Sequence, residues 1–518
     1  MDSTLLLLAL TFMYFWAHTH GLDPYLQNSV ALSKTSFPKA FIFGAASSAY
    51  QIEGAAHTNG RKPSIWDTFT NQHSEIIEDH SNGDTAEDFY HRYKEDISLM
   101  KEIGLKSFRF SISWSRILPY GRTSKGVNQE GVNFYNSMID ELLSNGIEPF
   151  ITLFHWDLPQ VLEDEYGGFL NPKIVDDYGD YVKFCFEEFG DRVKYWATIN
   201  EPNYFSCFGY AYGINAPGRC SNYIHNCTAG NSATEPYIVM HNMLLCHATA
   251  VRLYRQMYQD SHKGNIGIVL TSFWKVPKFQ TSSSKKAASR GLDFTIGWIL
   301  HPITYGDYPM TMREIVGNRL PKFTKEESKM IKGSIDFVGV NYYTARYVDA
   351  VSTFSTAANL SYTTDNHVIE STQRNGIPIG QQISRWIYLY PKGLQDVLVY
   401  IDKKYKHPPI IITENGMQDN SSMPIKDALN DTTRIMYHYL HLSYLLQAIK
   451  EGVDVRGYYV WSFLDDFEWS FGYTVRFGLT YINYKNNLQR IPKASAFWFQ
   501  NFLQNQNVTI GSNFVSSQ

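Results

Sequence analysis

The chain has 518 residues, of which 44% are hydrophobic, 15% aromatic and 19% charged, and its formal net charge at pH 7 is −4. This composition is typical of a globular protein that builds a large core. The 46 Lys and Arg residues are balanced by 50 Asp and Glu residues, so no basic excess would drive binding to nucleic acid or to an anionic membrane. The composition therefore favours a neutral partner.

The N-terminus has the pattern of a secretory signal peptide. The apolar run from Leu5 to Ala17 is about a dozen residues long, which is too short to span a bilayer. No Lys or Arg precedes the run, and no clear cleavage motif follows it. We place the signal peptide at residues 1–21, with an approximate cleavage site near Gly21. No second membrane-length apolar run follows. We expect the protein in the secretory pathway, outside the cell or in the vacuole.

Glycosylation sequons and cysteines agree with a secretory route. The Asn-x-Ser/Thr sequons are at Asn226, Asn359, Asn420, Asn430 and Asn507.

Two of the five cysteines, Cys220 and Cys227, bracket a short loop, and an oxidising compartment favours a disulfide between them. Cys185, Cys207 and Cys246 lie in apolar, helix-like surroundings, and we expect them to be buried thiols. No Cys/His spacing resembles a metal site, and the sequence predicts no metal and no cofactor.

Eight short, β-rich apolar runs are separated by helix-length stretches. The runs are residues 41–49, 107–114, 149–156, 195–200, 266–271, 337–343, 410–414 and 458–463. Strands that alternate with helices predict a parallel sheet, and eight of them can close into a barrel that has no exposed edge. The predicted fold is α/β, a single (β/α)8 TIM barrel with long βα loops.

Amphipathic helices are predicted between several of the runs. Asp84 and Glu87 resemble a capping box before apolar residues that recur until Gly104. A second such pattern ends before Gly146. Long loop insertions are expected at residues 203–236, 349–385 and 464–487. We expect an N-terminal extension at residues 22–37, the catalytic barrel at residues 38–503 and a tail at residues 504–518.

Polar and aromatic side chains follow the predicted strands. In TIM barrels the site lies at the C-terminal ends of the strands. Two of these ends carry Glu201 and Glu414, on roughly opposite sides of the ring. One buried Glu alone could be half of an ion pair. Two carboxyl groups that face one mouth favour glycoside hydrolysis, in which one protonates the leaving oxygen and the other attacks or activates water.

The segments around both carboxylates resemble a known family. Residues 198–202, Thr-Ile-Asn-Glu-Pro, and 412–416, Ile-Thr-Glu-Asn-Gly, are similar to the paired signatures of family 1 glycoside hydrolases, the retaining β-glucosidases. Further similarity lies at residues 41–51, 109–114, 154–159 and 461–469, and it extends from about residue 38 to about residue 503. The secretory start, the sequons and the cysteine loop resemble the plant members.

The resemblance implies a role for each matching residue. Glu201 would be the general acid/base, and Glu414 would be the nucleophile that forms a covalent glycosyl-enzyme. Arg109 and Tyr343 would keep Glu414 ionised and oriented. The residues implied to bind the sugar are Gln51, His155, Asn200, Asn341, Trp461, Glu468 and Trp469. Without the motifs, His155 could be a core histidine and Trp461 plain packing.

The resemblance also bears on substrate choice. Thioglucosidases carry Gln where Glu201 stands, so Glu201 implies O-glycosides. Phosphoglycosidases lack the pair of Glu468 and Trp469, so a neutral sugar is expected. The implied aglycone contacts are Trp386 as a stacking platform, with Phe205, Phe208 and Phe477 as walls.

The sequence thus predicts a retaining β-glucosidase that hydrolyses O-β-D-glucosides of small hydrophobic plant metabolites. The alternatives are a disaccharide-specific β-glycosidase or a transglucosidase on the same scaffold. An alternative of another class is a catalytically inactive sugar-binding barrel, which requires the loss of a carboxylate. The predicted partner is a small-molecule glucoside, not nucleic acid, and assembly into a homo-oligomer is left open.

Overall fold

Eight parallel strands form a closed barrel at the centre of the molecule. The structure is a computed structural model that describes residues 31–351 and 359–508. The barrel strands are β1 (Ile42–Ala46), β2 (Ser107–Ser111), β3 (Glu148–Phe154), β4 (Tyr195–Asn200), β5 (Asn265–Thr271), β6 (Phe337–Asn341), β7 (Ile410–Asn415) and β8 (Val455–Trp461). All eight predicted runs are confirmed as barrel strands. The predicted signal peptide lies outside the described residues.

Strand β1 closes the barrel by pairing with β8 on one side and β2 on the other. In this register Gly44 lies beside both Tyr459 and Ser107. A Cβ atom at position 44 would stand 2.5 Å from the Tyr459 ring and from the Ser107 carbonyl oxygen. The close approach that seals the barrel therefore requires glycine at this position.

Aromatic rings fill the barrel beneath the strand ends. The ring of Phe150 lies 5.7 Å from that of Phe337 and 5.5 Å from that of Tyr459, both edge-on. The Tyr459 hydroxyl donates a hydrogen bond to Ser107 Oγ at 2.8 Å. Because this layer packs the interior, polar groups gather above it, at the C-terminal ends of the strands.

Helices surround the barrel and connect its strands. The described helices of eight or more residues are Ile65–Gln72, Phe89–Ile103, Gln129–Ser144, Ile174–Phe189, Glu235–Met257, Ser282–Leu292, Trp298–Tyr305, Lys392–Lys404, Thr432–Lys450 and Ala494–Leu503. The predicted capping box of Asp84 and Glu87 is wrong. The helix begins after Asp88, whose φ of 55° breaks the helical path, and Glu87 instead accepts a hydrogen bond from the Tyr484 hydroxyl at 2.7 Å.

The long βα loops carry small sheets of their own. Trp274–Pro277, Ala345–Ala350 and Val368–Ser371 form a three-stranded sheet beside the mouth of the barrel. Thr480–Asn483 and Gln489–Pro492 form a hairpin after β8. The predicted insertions at residues 349–385 and 464–487 are therefore partly ordered as strands.

The predicted disulfide between Cys220 and Cys227 is present, with a Cα–Cα distance of 5.5 Å. For so short a loop, chain-entropy arguments give a stabilisation of about 2–3 kcal/mol. Cys185 and Cys246 are buried thiols, as predicted. Cys207 is only partly buried, because it ends the short helix Pro202–Cys207 in the loop layer.

The two ends of the described chain meet. Leu32 and Val508 exchange backbone hydrogen bonds of 3.0 and 2.8 Å, and Leu32 is buried. All five sequon asparagines are exposed, which leaves them accessible to glycosylation. None of the helices within residues 31–351 and 359–508 has the length and apolarity that crossing a membrane requires.

Candidate active site

Glu414 lies near the end of β7, where both of its carboxylate oxygens accept a hydrogen bond. Arg109 Nη1 donates to one oxygen at 2.7 Å, and the Tyr343 hydroxyl donates to the other at 2.7 Å. Arg109 comes from β2, and Tyr343 stands two residues beyond β6. The pairing fixes the rotamer of Glu414 and favours its ionised form.

The guanidinium of Arg109 also connects several strands. Beyond Glu414, it donates to the Thr413 carbonyl at 3.2 Å, to Asn200 Oδ1 at 2.7 Å and to Thr152 Oγ1 at 3.1 Å. The side chain is fully buried. A buried cation with four acceptors from β3, β4 and β7 sets the relative position of those strand ends.

Glu201 directly follows β4, and its carboxyl group accepts a hydrogen bond from a neutral amide. Asn341 Nδ2 donates to Glu201 Oε1 at 2.7 Å and to Asn200 Oδ1 at 3.2 Å. Thr413 Oγ1 donates to Asn341 Oδ1 at 2.6 Å, which fixes the orientation of the amide. Glu201 thus has a neutral donor where Glu414 has a guanidinium.

This difference separates the protonation of the two acids. Burial, followed by the negative charge of Glu414, raises the pKa of Glu201 to about 8, against the opposing effect of the hydrogen bond from Asn341. Burial also raises the pKa of Glu414, but the charge and hydrogen bond of Arg109 and the hydrogen bond of Tyr343 oppose that increase. Glu201 therefore holds the proton of the pair while Glu414 is ionised.

His155, at the end of β3, lies between two tryptophans of the site. Its ring is 5.9 Å from that of Trp461 and 6.0 Å from that of Trp469, both nearly parallel to it. Burial and the charge of Arg109 hold the pKa of His155 well below its usual range. Because Asn200 Nδ2 donates to His155 Nε2 at 3.0 Å, the proton of the neutral ring is on Nδ1. Nδ1 is buried and has no hydrogen-bond partner among the described residues.

Gln51 and Glu468 form a second polar pair. Gln51 Nε2 donates to Glu468 Oε2 at 3.3 Å and to the Phe467 carbonyl at 3.0 Å. Ser48 Oγ donates to Gln51 Oε1 at 2.7 Å. These bonds orient an amide and a carboxyl group together, an arrangement that suits neighbouring hydroxyl groups of one sugar.

The structure brings most of the predicted site residues to one cleft at the barrel mouth. Those that line it are His155, Asn200, Glu201, Tyr343, Trp386, Glu414, Trp461, Glu468, Trp469 and Phe477. Gln51, Arg109 and Asn341 are bonded directly to lining residues.

Four further residues line the cleft that were not among the predicted site residues. They are Trp156, Tyr204, Thr271 and Phe273. Trp156 has a φ of 76°, and Glu201 and Trp469 also have positive φ values of 46° and 52°. Such strained residues cluster at functional sites, but a sequence does not show the strain.

The aglycone contacts are only partly as predicted. Trp386 lines the cleft and stacks on Phe273, with ring centroids 5.5 Å apart and an interplanar angle of 18°. Phe477 also lines the cleft. Phe205 does not line it, because the helix Pro202–Cys207 turns this side chain into the core, where it packs 5.5 Å from Phe154.

Phe208 is also absent from the described cleft lining. It stacks on Tyr204 with ring centroids 3.9 Å apart, and Tyr204 is the residue of this segment that lines the cleft.

Comparisons with known proteins agree with this geometry. A family model described as "Glycosyl hydrolase family 1" matches residues 33–508. Beta-glucosidase 17 of Arabidopsis thaliana is 59% identical over 490 residues, which are 94% of this chain and 95% of that protein. Raucaffricine-O-beta-D-glucosidase of Rauvolfia serpentina is 52% identical, and the match covers 92% of each chain.

Among solved structures, a mutant rice β-glucosidase in a covalent complex with Glc superposes with a TM-score of 0.89. It is 47% identical, and the match covers 91% of this chain and 99% of that one. The chain belongs to glycosyl hydrolase family 1, and it is a β-glucosidase of the retaining type.

The electrostatic coupling of the two acids predicts the effect of removing one charge. In Glu414→Gln, we expect the pKa of Glu201 to fall by about one to two pH units, because a neutral amide no longer opposes its ionisation. NMR titration of ¹³C-labelled glutamate carboxyl groups measures this pKa, with the Glu201 signal assigned by its loss in Glu201→Gln. Glu314→Gln, at an exposed position, is the control. An unchanged Glu201 pKa in Glu414→Gln would show that burial alone raises it.

Proposed function

We propose that this β-glucosidase hydrolyses O-β-D-glucosides of small hydrophobic plant metabolites, with Glu414 as nucleophile and Glu201 as general acid/base. The observation that supports the assignment is the unequal environment of the two carboxyl groups. Glu414 is held by Arg109 and Tyr343 at 2.7 Å each, whereas Glu201 accepts from the neutral amide of Asn341. An ionised, oriented carboxylate is what attack on a sugar carbon requires.

In the first step, Glu414 attacks the anomeric carbon while Glu201 gives its proton to the glycosidic oxygen, and the aglycone leaves as an alcohol. A covalent glycosyl-enzyme results. With Glu414 esterified, its charge is lost, and the pKa of Glu201 falls. Glu201, now ionised, takes a proton from water, and that water attacks the anomeric carbon and frees Glu414.

The polar groups of the cleft support binding of a neutral sugar. His155 lines the cleft, and Gln51 and Glu468 offer an amide and a carboxyl group that are already bonded to each other. Trp461 provides a flat surface in the same cleft for the apolar face of the ring. The preset orientation of these groups reduces the entropy lost when glucose binds.

The rim of the cleft supports a hydrophobic aglycone. Trp386, Phe273 and Phe477 are apolar, and they offer flat surfaces rather than the paired donors and acceptors that a second sugar requires. This rim favours hydrolysis of hydrophobic glucosides over a disaccharide-specific or transglucosidase reaction. The similarity to raucaffricine-O-beta-D-glucosidase, a protein named for its O-glucoside, supports the same substrate class.

The same proposal includes passage through the secretory pathway, with glycosylation at exposed sequons. The disulfide between Cys220 and Cys227 and the exposure of all five sequon asparagines support it. We further propose that the mature enzyme works outside the cell or in the vacuole.

Azide rescue distinguishes the roles of the two carboxyl groups. For Glu414→Gly with azide and an activated aryl β-glucoside, we expect an α-glucosyl azide, because the anion enters from the side that the nucleophile has vacated. For Glu201→Ala we expect a β-glucosyl azide, because the covalent intermediate still forms and azide then intercepts it. NMR of the products gives the anomeric configuration. The opposite pair of configurations would reverse the assignment.

The proposed platform for the aglycone predicts a substrate-selective loss. Trp386→Ala should lower kcat/KM for an aryl glucoside by about 5- to 30-fold, or 1–2 kcal/mol, through lost stacking and burial. Methyl glucoside should change much less. Phe205→Leu is the matched control, because this aromatic packs in the core and should affect both substrates alike. An equal loss for both substrates in Trp386→Ala would remove this residue from the aglycone site.

A further inference from the structure

Arg346 lies behind the aromatic rim of the cleft, on the strand Ala345–Ala350 of the small three-stranded sheet. It is half-buried. Its Nη2 donates to the backbone carbonyl of Trp386 at 2.7 Å, and its Nη1 donates to the carbonyl of Ala345 at 2.8 Å. The guanidinium thus joins the backbone of the loop that carries Trp386 to the sheet.

The same guanidinium also contacts aromatic rings. Its central carbon lies 5.0 Å from the ring centroid of Phe273 and 5.6 Å from that of Tyr388. Phe273 in turn stacks on Trp386. Arg346 therefore contacts both aromatic residues on this side of the cleft: Phe273 through its ring and Trp386 through its backbone carbonyl.

The hydrogen bonds of Arg346 are directed to two backbone carbonyls and, at 3.4 Å, to the Thr344 hydroxyl rather than to an acid. Among the described residues, no carboxylate forms an ion pair with it, and the nearby Glu370 pairs with Lys275. The guanidinium of arginine is planar, so it can donate in two directions while its flat side contacts a ring. The ammonium group of lysine cannot do both. The arrangement is therefore specific to a guanidinium.

Other bonds also hold the Trp386 loop, including an ion pair between the neighbouring Arg385 and Glu78. The indole N–H of Trp386 donates to Gln418 at 3.2 Å, and Thr344 Oγ1 donates to the Tyr388 carbonyl at 2.8 Å. The indole bond fixes only the nitrogen end of a ring that also meets the Tyr343 ring edge-on at 5.6 Å, and the bond to Tyr388 lies two residues away. The bond from Arg346 holds the backbone of Trp386 itself.

We propose that Arg346 is a positioning residue that sets aglycone specificity, by holding Trp386 and Phe273 as one rigid wall of the cleft. This inference rests on the proposed role of Trp386 as the aglycone platform. A preorganised wall binds a flat aglycone without first having to be ordered, whereas a small alkyl group gains little from it. Arg346 does not contact the two catalytic carboxyl groups, so the chemical steps should proceed without it.

Kinetics with two substrates test the proposal. For Arg346→Met, we expect kcat/KM for an aryl glucoside to fall about tenfold and that for methyl glucoside to change less than about twofold. Arg346→Lys should give an intermediate loss, because the charge remains and the fork is lost. Arg374→Met is the matched control, since this arginine lies 4.8 Å from the ring centroid of Tyr347 in the same region. Equal losses for both substrates, or the same selective loss in the control, would overturn the proposal.

A double mutant tests whether Arg346 acts through Trp386. In the background of Trp386→Ala, adding Arg346→Met should leave kcat/KM for the aryl glucoside within about twofold. A further tenfold loss would mean that Arg346 acts independently and would overturn the positioning role.

A readout without substrate separates this inference from the proposed function. In protein labelled with 5-fluorotryptophan, the ¹⁹F signal of Trp386 is assigned by its loss in Trp386→Phe. We expect that signal to shift or broaden in Arg346→Met and to stay unchanged in Arg374→Met. An unchanged signal in Arg346→Met overturns the inference. The signal can also change in Arg346→Met while Trp386→Ala lowers kcat/KM equally for both substrates. In that case the contact between Arg346 and Trp386 is confirmed, but the aglycone role of Trp386 is wrong, and so is the control of specificity by Arg346.

Discussion

The buried guanidinium of Arg109 is the constraint on which the active site depends. A cation out of contact with water requires acceptors, and the chain supplies them from β3, β4 and β7, with Glu414 as the only carboxylate among the four hydrogen-bonded acceptor groups. The ion pair keeps Glu414 charged, and that charge helps to raise the pKa of Glu201. One buried cation therefore makes two chemically identical side chains unequal, which is what a reaction with one acid and one nucleophile needs.

Much of the barrel could be predicted from sequence because its signals are local and repeated. β-rich apolar runs alternate with helical segments, and eight such strands can close into a parallel barrel that has no exposed edge. Predictions failed where a tertiary contact overrode a local pattern. Asp84 and Glu87 have capping-box spacing, yet the helix begins after Asp88, because Glu87 is bonded to Tyr484 almost 400 residues away in sequence. A short pattern does not contain such tertiary contacts.

The same distinction applies to the site. Glu201 and Glu414 were predictable because a strand end fixes where a side chain points. Phe205 was predicted at the cleft but packs in the core, while its neighbour Tyr204 lines the cleft, because the face that a short helix presents depends on packing against the rest of the protein. Loop residues such as Phe273 carry even weaker sequence signals. Catalytic groups on strands and specificity groups on loops thus differ in how far sequence alone determines them.

The central claim is that Glu414, held ionised by Arg109, forms the bond to the sugar. Trapping with an activated 2-deoxy-2-fluoro-β-glucoside tests it most directly. The fluorine slows both the formation and the hydrolysis of the covalent intermediate, and the good leaving group speeds only its formation, so the intermediate accumulates. Proteolysis and mass spectrometry then locate the attached sugar. The account predicts one fluoroglucosyl group per chain, on the peptide that contains Glu414 and on that side chain. A label on Glu201, or turnover with no covalent adduct, would contradict it.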